Sequence, residues 1–172
     1  MTWFDVLTGF PEMRANRVRE NITLAGGTLT SHVNGKVLAC GRLETPSLAE
    51  LRDRIHAHDH MPGTLSVHEV VADVQQLHER ETNAGSLFQV ASQFNLLEMT
   101  SPRTTPEAGV GCYENDNTQG PACAIAAGAG TIYRNYFADV NGHVGQSAER
   151  QIDCLADLGT ALDNSGNRLW TM

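Results

Sequence analysis

Residues 117–137 read NTQGPACAIAAGAGTIYRNYF and put a thiol beside the start of a run of small residues. Pro121 fits the first position of a helix, where its missing N–H costs nothing. Cys123 then falls in the first turn, where the helix dipole lowers a thiol pKa. With His143 as base and Gln119 as oxyanion donor, these residues draw a cysteine hydrolase. The same start offers a second chemistry. Unpaired N–H groups at Gly120, Ala122 and Cys123 form a site for an anion such as a diphosphate. The stretch is neither a Walker loop nor a dinucleotide fingerprint, since no G-x-x-x-x-G-K-[ST] exists and Gly128-Ala129-Gly130 lies within the helical pattern. It also has a purely structural reading. Ile125, Ala129, Ile132 and Tyr136 share one helical face, and Ala122, Ala126 and Gly130 form a stripe of small residues. Gly128 and Gly130 inside a helix would each cost ~1 kcal/mol against alanine, which close packing can offset.

Two other clusters have reactive residue types. In His56-Ala57-His58-Asp59-His60, His56 and His60 stand at i, i+4, a workable spacing for two metal ligands. The run also ends a helix before Met61-Pro62-Gly63, where histidines complement the dipole. That reading is preferred, and neither a metal nor a cofactor is expected. Glu98, Glu107, Glu114 and Asp116 crowd a loop and offer a general base or a solvated rim, with no pair singled out.

The elements that must position these residues alternate along the chain. ITLAGGTLTSHV and KVLACGRL flank Asn34-Gly35, a strong hairpin signal. Ser47 and Glu50 form a capping box for a helix whose apolar face is Leu48, Leu51 and Ile55. TLSVHEVVADV reads as a strand, Asp73 as the cap of a helix through Val74 and Leu77, and LFQVAS as a further strand. Residues 100–120 are a long polar loop, which inside a domain is usually functional. A Gly/Asn turn at 141–145, a helix from Ala148 to about Leu162 and a last strand, RLWTM, follow. The pattern predicts an α/β fold: a single three-layer domain over 1–172, with a mixed, partly parallel sheet flanked by helices and an N-terminal β-hairpin. The abrupt Trp170-Thr171-Met172 reads as a strand cut short, so truncation at the C-terminus is part of the expectation.

Twelve basic residues face 20 acidic ones, a formal net charge of −8. This excludes general nucleic-acid or anionic-membrane binding, because no Lys/Arg cluster displaces counterions. Only one lysine, Lys36, occurs, so the bases are nearly all arginine, which suits fixed pairing with carboxylate or phosphate. The longest apolar stretch, Pro121 to Ile132, falls short of the ~20 residues of a membrane helix. The opening MTWFDVLTGFPE lacks the pattern of a signal peptide, and the four cysteines contain no C-x-x-C pair. Reduced thiols and a cytoplasmic location are therefore predicted.

Three segments, taken in order, resemble macro domains, the α/β/α modules that bind ADP-ribose. Val70-Val71-Ala72-Asp73-Val74 resembles the family strand ending in Asp-Ile, whose Asp holds the adenine amino group. Phe88-Gln89-Val90-Ala91-Ser92-Gln93-Phe94-Asn95 lies where the family has Ile-Val-Asn-Ala-Ala-Asn, whose last Asn reaches the distal ribose. Gly120-Pro121-Ala122-Cys123-Ala124-Ile125-Ala126-Ala127-Gly128 is similar to the family's glycine loop and Ala-rich helix, which wrap the diphosphate. The Asn-Ala-Ala-Asn is not intact here, and the glycine cluster is reduced to Gly120. The resemblance implies a nucleotide-type ligand such as ADP-ribose, contacted by Asp73, Ser92, Gln93, Asn95, Gln119, Gly120, Ala122 and Cys123, with hydrolysis of an ADP-ribosyl linkage as a further expectation. The remaining alternatives are the Cys123/His143 hydrolase and a protein-interaction module that uses the small-residue face for packing.

Overall fold

The chain begins with a helix that its own first residues cap. Thr2 and Asp5 form a reciprocal capping box, with Thr2 N–H on Asp5 at 2.8 Å and Asp5 N–H on the Thr2 hydroxyl at 3.4 Å. Helix α1 (Trp3–Thr8) buries Trp3, Phe4 and Thr8 and ends at Gly9, whose φ of 81° closes a left-handed cap. A Cβ at Gly9 would stand 2.8 Å from that of Asn34, so both backbone and space require glycine there. The structure is a computed structural model and describes residues 1–56, 63–72, 76–77, 80–87, 104–111 and 128–170.

These residues form helices and small antiparallel sheets, a mixed α/β arrangement divided into two units: Met1–Leu43 with Gly85–Asp153, and Glu44–Ala84 with Cys154–Met172. In the first unit α2 (Ala15–Asn21) buries Val18 and runs directly into β1 (Ile22–Ala25). β2 (Thr28–Ser31) and β3 (Val37–Ala39) complete an antiparallel meander in register Leu24↔Leu29↔Leu38. Its turns differ from expectation. Asn34-Gly35 is not a two-residue hairpin loop: only Gly35 has positive φ, and five residues link β2 to β3. Asn34 spends its side chain elsewhere, donating to Leu7 O and accepting from Lys36 N–H, both at 3.0 Å. Gly26 and Gly27, with φ of 54° and 77°, instead make the tight turn with positive φ at both centres and split the expected long strand in two.

Helix α4 (Ala129–Tyr136) buries Thr131, Ile132, Asn135 and Tyr136, which fall on one face at i, i+1, i+4 and i+5. It contacts α2 and β3. A Cβ at Gly130 would meet Cys40 O, just after β3, at 3.5 Å, an ordinary van der Waals contact. The space at Gly130 therefore admits a Cβ, and the close approach read from the small residues does not require glycine there. Gly128 is different: it is the N-cap, with extended backbone (φ −176°), so no single helix runs from Pro121 through Tyr136. β4 (Asp139–Val140) and β5 (His143–Val144) follow as a hairpin closed by Asn141 and Gly142, both at positive φ. The core of this unit joins Phe4, Val18, Leu29, Val110, Ile132 and Tyr136. The Phe4 ring meets Phe10 and Tyr136 edge-on, with centroids 5.5 and 6.3 Å apart.

In the second unit α3 (Leu48–His56) starts where the capping box predicts, with Ser47 N–H on Glu50 at 2.7 Å and Glu50 N–H on the Ser47 hydroxyl at 3.1 Å. α5 (Leu155–Ala161) sets the Asp157 carboxylate on Leu48 N–H at 2.9 Å, an anion at the start of α3. α5 begins seven residues later than the predicted Ala148, because Ser147 and Arg150 pair in a tight bend that a helix cannot include. The anticipated apolar face of α3 is open to solvent at Leu51 and Ile55. Residues 63–72 pair with no described strand, and Leu65, Val67 and Val71 are exposed. No strand forms at 168–170, where Asn164 gathers the chain instead, accepting from Leu169 N–H and donating to Trp170 O. Among the described residues no helix is long and apolar enough to cross a membrane.

Candidate functional site

The sharpest concentration of polar contacts in the first unit is built on Glu12, in the link between α1 and α2. Its Oε1 accepts from Val110 N–H at 2.7 Å and from the Tyr136 hydroxyl at 2.6 Å; its Oε2 accepts from Gly111 N–H at 2.8 Å. One half-buried carboxylate thus joins its own segment to two others that lie 98 to 124 residues further along the chain. Two glycines make the room. A Cβ at Gly109 or Gly111 would stand 2.6 or 2.9 Å from Glu12 Oε2, and Gly109 also has φ of 87°. Charge-assisted bonds of this length are among the stronger ones a protein makes.

Around this point other side chains tie loops to α4. Buried Asn135 donates to Pro106 O at 3.1 Å. Gln146 donates to Arg134 O at 3.0 Å and accepts from Ile152 N–H at 2.8 Å, while its own N–H reaches Asn135 O at 2.8 Å. Arg19 places its guanidinium 3.3 Å from Tyr136 O, a cation at the carboxyl end of α4. Glu107 accepts Ala148 N–H at 2.9 Å. Burial pushes the Glu107 carboxyl up, yet the bonds from Ala148 N–H, the Thr105 side chain and its own backbone outweigh this and hold it below the usual range. Of the four loop acids weighed as a base or rim, Glu107 is therefore a structural acceptor; Glu98, Glu114 and Asp116 lie outside the described residues.

Most of the ligand contacts expected from sequence are outside the description as well: Asp73, Ser92, Gln93, Asn95, Gln119, Gly120, Ala122 and Cys123. His143 is described. It sits exposed in β5 opposite Val140, and among the described residues none hydrogen-bonds its ring. No described residue thus holds it in the orientation a general base needs. His56 is the last residue of α3, while His58, Asp59 and His60 lie outside the described residues. Among the described residues no His/Cys/Asp/Glu cluster can hold a metal ion. Cys40 and Cys154 are free thiols, and burial pushes Cys40 up, away from reactivity.

An open groove of about 790 Å³ also runs beside the Gly26-Gly27 turn, bounded by Leu24, Gly41, Arg42 and Tyr133. Sequence reasoning missed both this groove and Glu12. The signal for Glu12 was faint: a lone acid after Pro11, and a G-x-G step at 109–111 with no adjacent hairpin to explain it.

No family model, no curated protein and no solved structure matches the chain.

Proposed function

We propose that this chain binds ADP-ribose or a related nucleotide. Asp73 reads the adenine amino group, Ser92, Gln93 and Asn95 take the ribose side, and Gln119 with the N–H groups of Gly120, Ala122 and Cys123 takes the phosphates. The observation that supports it best is the pair of held residues that flank the phosphate-side segment in sequence. Residues 112–127 run between Gly111, held on Glu12, and Gly128, the cap of α4, whose Tyr136 bonds the same carboxylate. A loop that presents several N–H groups to one diphosphate needs fixed ends, since misplacement by an ångström forfeits much of the interaction. The order of the three macro-domain-like segments along the chain supplies the ligand class. The reading carries with it a three-layer fold with a mixed, partly parallel sheet and a cytoplasmic location. An acidic chain with a net charge of −8 favours a small-molecule partner over nucleic acid or an anionic membrane. Hydrolysis of an ADP-ribosyl linkage on this site is positional, with water placed between ligand and backbone.

Thermal unfolding over a panel of nucleotides tests the assignment. ADP-ribose at about a hundred times its Kd stabilises the folded chain by ~2.7 kcal/mol, a rise of several degrees. Adenosine alone should give less, and Asp73→Ala should abolish most of the rise. A midpoint unmoved at millimolar ADP-ribose sinks the proposal. Should Cys123 instead alkylate at pH 6.5 much faster than Cys154, the thiol-hydrolase reading takes its place.

A further inference from the structure

The pair Asn-Gly occurs twice in the chain, at 34–35 and at 141–142, and the fold treats the two differently. This pair has a chemistry of its own. The glycine nitrogen can attack the side-chain carbonyl carbon of the asparagine, and no Cβ on the glycine stands in the way. In both pairs the glycine is at positive φ, 72° at Gly35 and 81° at Gly142, and a Cβ built on either would meet nothing within 4 Å. Backbone access therefore does not separate the two pairs; the asparagine side chains do. The Asn34 carboxamide is held at both ends, donating to Leu7 O and accepting from Lys36 N–H, each at 3.0 Å. Asn141 is exposed in the β4–β5 turn, and among the described residues none hydrogen-bonds its carboxamide. A further group acts only at the second pair. The Asp139 carboxylate accepts from Gly142 N–H at 3.1 Å, so a base already rests on the proton that the attacking nitrogen must lose.

We propose that Asn141 is a self-modification site, at which the folded chain deamidates in the β4–β5 turn while Asn34 stays intact. The Gly142 nitrogen bonds to Asn141 Cγ and gives its proton to the Asp139 carboxylate. The bond from Cγ to the carboxamide nitrogen breaks, and that nitrogen leaves as ammonia with the proton Asp139 had taken. Water then opens the resulting cyclic imide at either carbonyl, leaving aspartate or isoaspartate at position 141. Either product adds a carboxylate to a chain whose net charge is already −8. Isoaspartate also lengthens the backbone by one methylene, which breaks the register that sets Val140 opposite His143.

The test incubates the full chain at neutral pH, folded and in concentrated urea. Peptide mapping by mass spectrometry follows both asparagines, and labelling by an isoaspartyl methyltransferase identifies the product. In the folded chain Asn141 should convert at least about tenfold faster than Asn34, the scale of two hydrogen bonds that must break before the Asn34 ring can close. In urea the two should convert at similar rates, because nothing then holds either side chain. Conversion of Asn34 as fast as that of Asn141 in the folded chain overturns the proposal. So does an Asn141 that persists in the folded chain but converts in urea. Asp139→Asn keeps an acceptor for Gly142 N–H but removes the base, and should slow Asn141 several-fold with Asn34 unaffected; an unchanged rate overturns the role of Asp139. The comparison of the two wild-type asparagines needs no substitution, so it decides the assignment even where Asp139→Asn does not fold.

Discussion

The two units are stabilised by different kinds of contact. In the first, polar bonds reach across the sequence: Ser31 hydroxyl to Thr8 O, Lys36 ammonium to Val6 O, Asn135 to Pro106 O, and Glu12 to Val110 and Tyr136. They surround an apolar core in which Phe4, Val18, Val110 and Ile132 are fully buried. In the second, the described bonds are mostly between near neighbours, as at Ser47–Glu50, Arg54–Glu44, Arg168–Asp163 and Asn164–Trp170. Asp157 to Leu48 is the described exception. Large apolar side chains of this unit, Ile55 at 58% and Leu65 at 87% exposure among them, face solvent. The lesson concerns where precision resides. Bonds between distant segments fix the relative placement of loops, whereas local caps fix only the helix that carries them.

The sharpest way to break this contrast is to open the first unit's core. Phe4→Ala removes a ring packed against Phe10 and Tyr136. It should cost ~3–5 kcal/mol in a denaturant melt, the usual range for a buried phenylalanine. A loss below about 1 kcal/mol would mean that this core does not carry the unit. Next comes Gly145→Ala. Its φ is 83°, and a Cβ would stand 2.8 Å from Tyr136 O, backbone that has no room to give. The expected loss is ~2 kcal/mol, in the range for a strained left-handed position, and a neutral result would show that the turn after β5 shifts freely.

A smaller effect comes with acid. The Glu107 carboxyl is held below its ordinary pKa in the folded chain, so its contribution is present above that ordinary value. It should fade as the pH falls through the lower folded value, and Glu107→Gln should flatten the acid limb of a stability–pH profile by that amount. The smallest change belongs to the second unit. Ile55→Gln on exposed α3 should alter stability by no more than ~0.5 kcal/mol. A loss of 2 kcal/mol or more would show that this face is covered in solution and that the contrast between the units is overdrawn.

What could be read from sequence follows the same division. Ser47 and Glu50 stand three residues apart, so a capping box there needs nothing from the rest of the chain, and α3 starts where those residues place it. The Asn/Gly turn at 141–142 is local in the same way. Asn34-Gly35 misled, because Asn34 is drawn to Leu7 O, a partner 27 residues away that no turn rule contains. Glu12 was illegible for the same reason in stronger form: its donors lie 98 to 124 residues further on. The small size of Gly130 could be read from sequence, though a Cβ there would make only an ordinary contact with Cys40 O. That Gly128 is extended and divides the small-residue run could not, since glycine is compatible with either conformation. The ligand residues lie outside the described residues, and His143, the candidate base of the thiol-hydrolase alternative, is exposed with no described hydrogen bond to its ring.

The account stands most directly on calorimetric titration of ADP-ribose into the full chain, with Asp73→Ala alongside. It predicts saturable heat with one site per chain, weakened at least about tenfold by a substitution that removes the contact to the adenine amino group. No heat at millimolar ligand, or identical binding by Asp73→Ala, would contradict it.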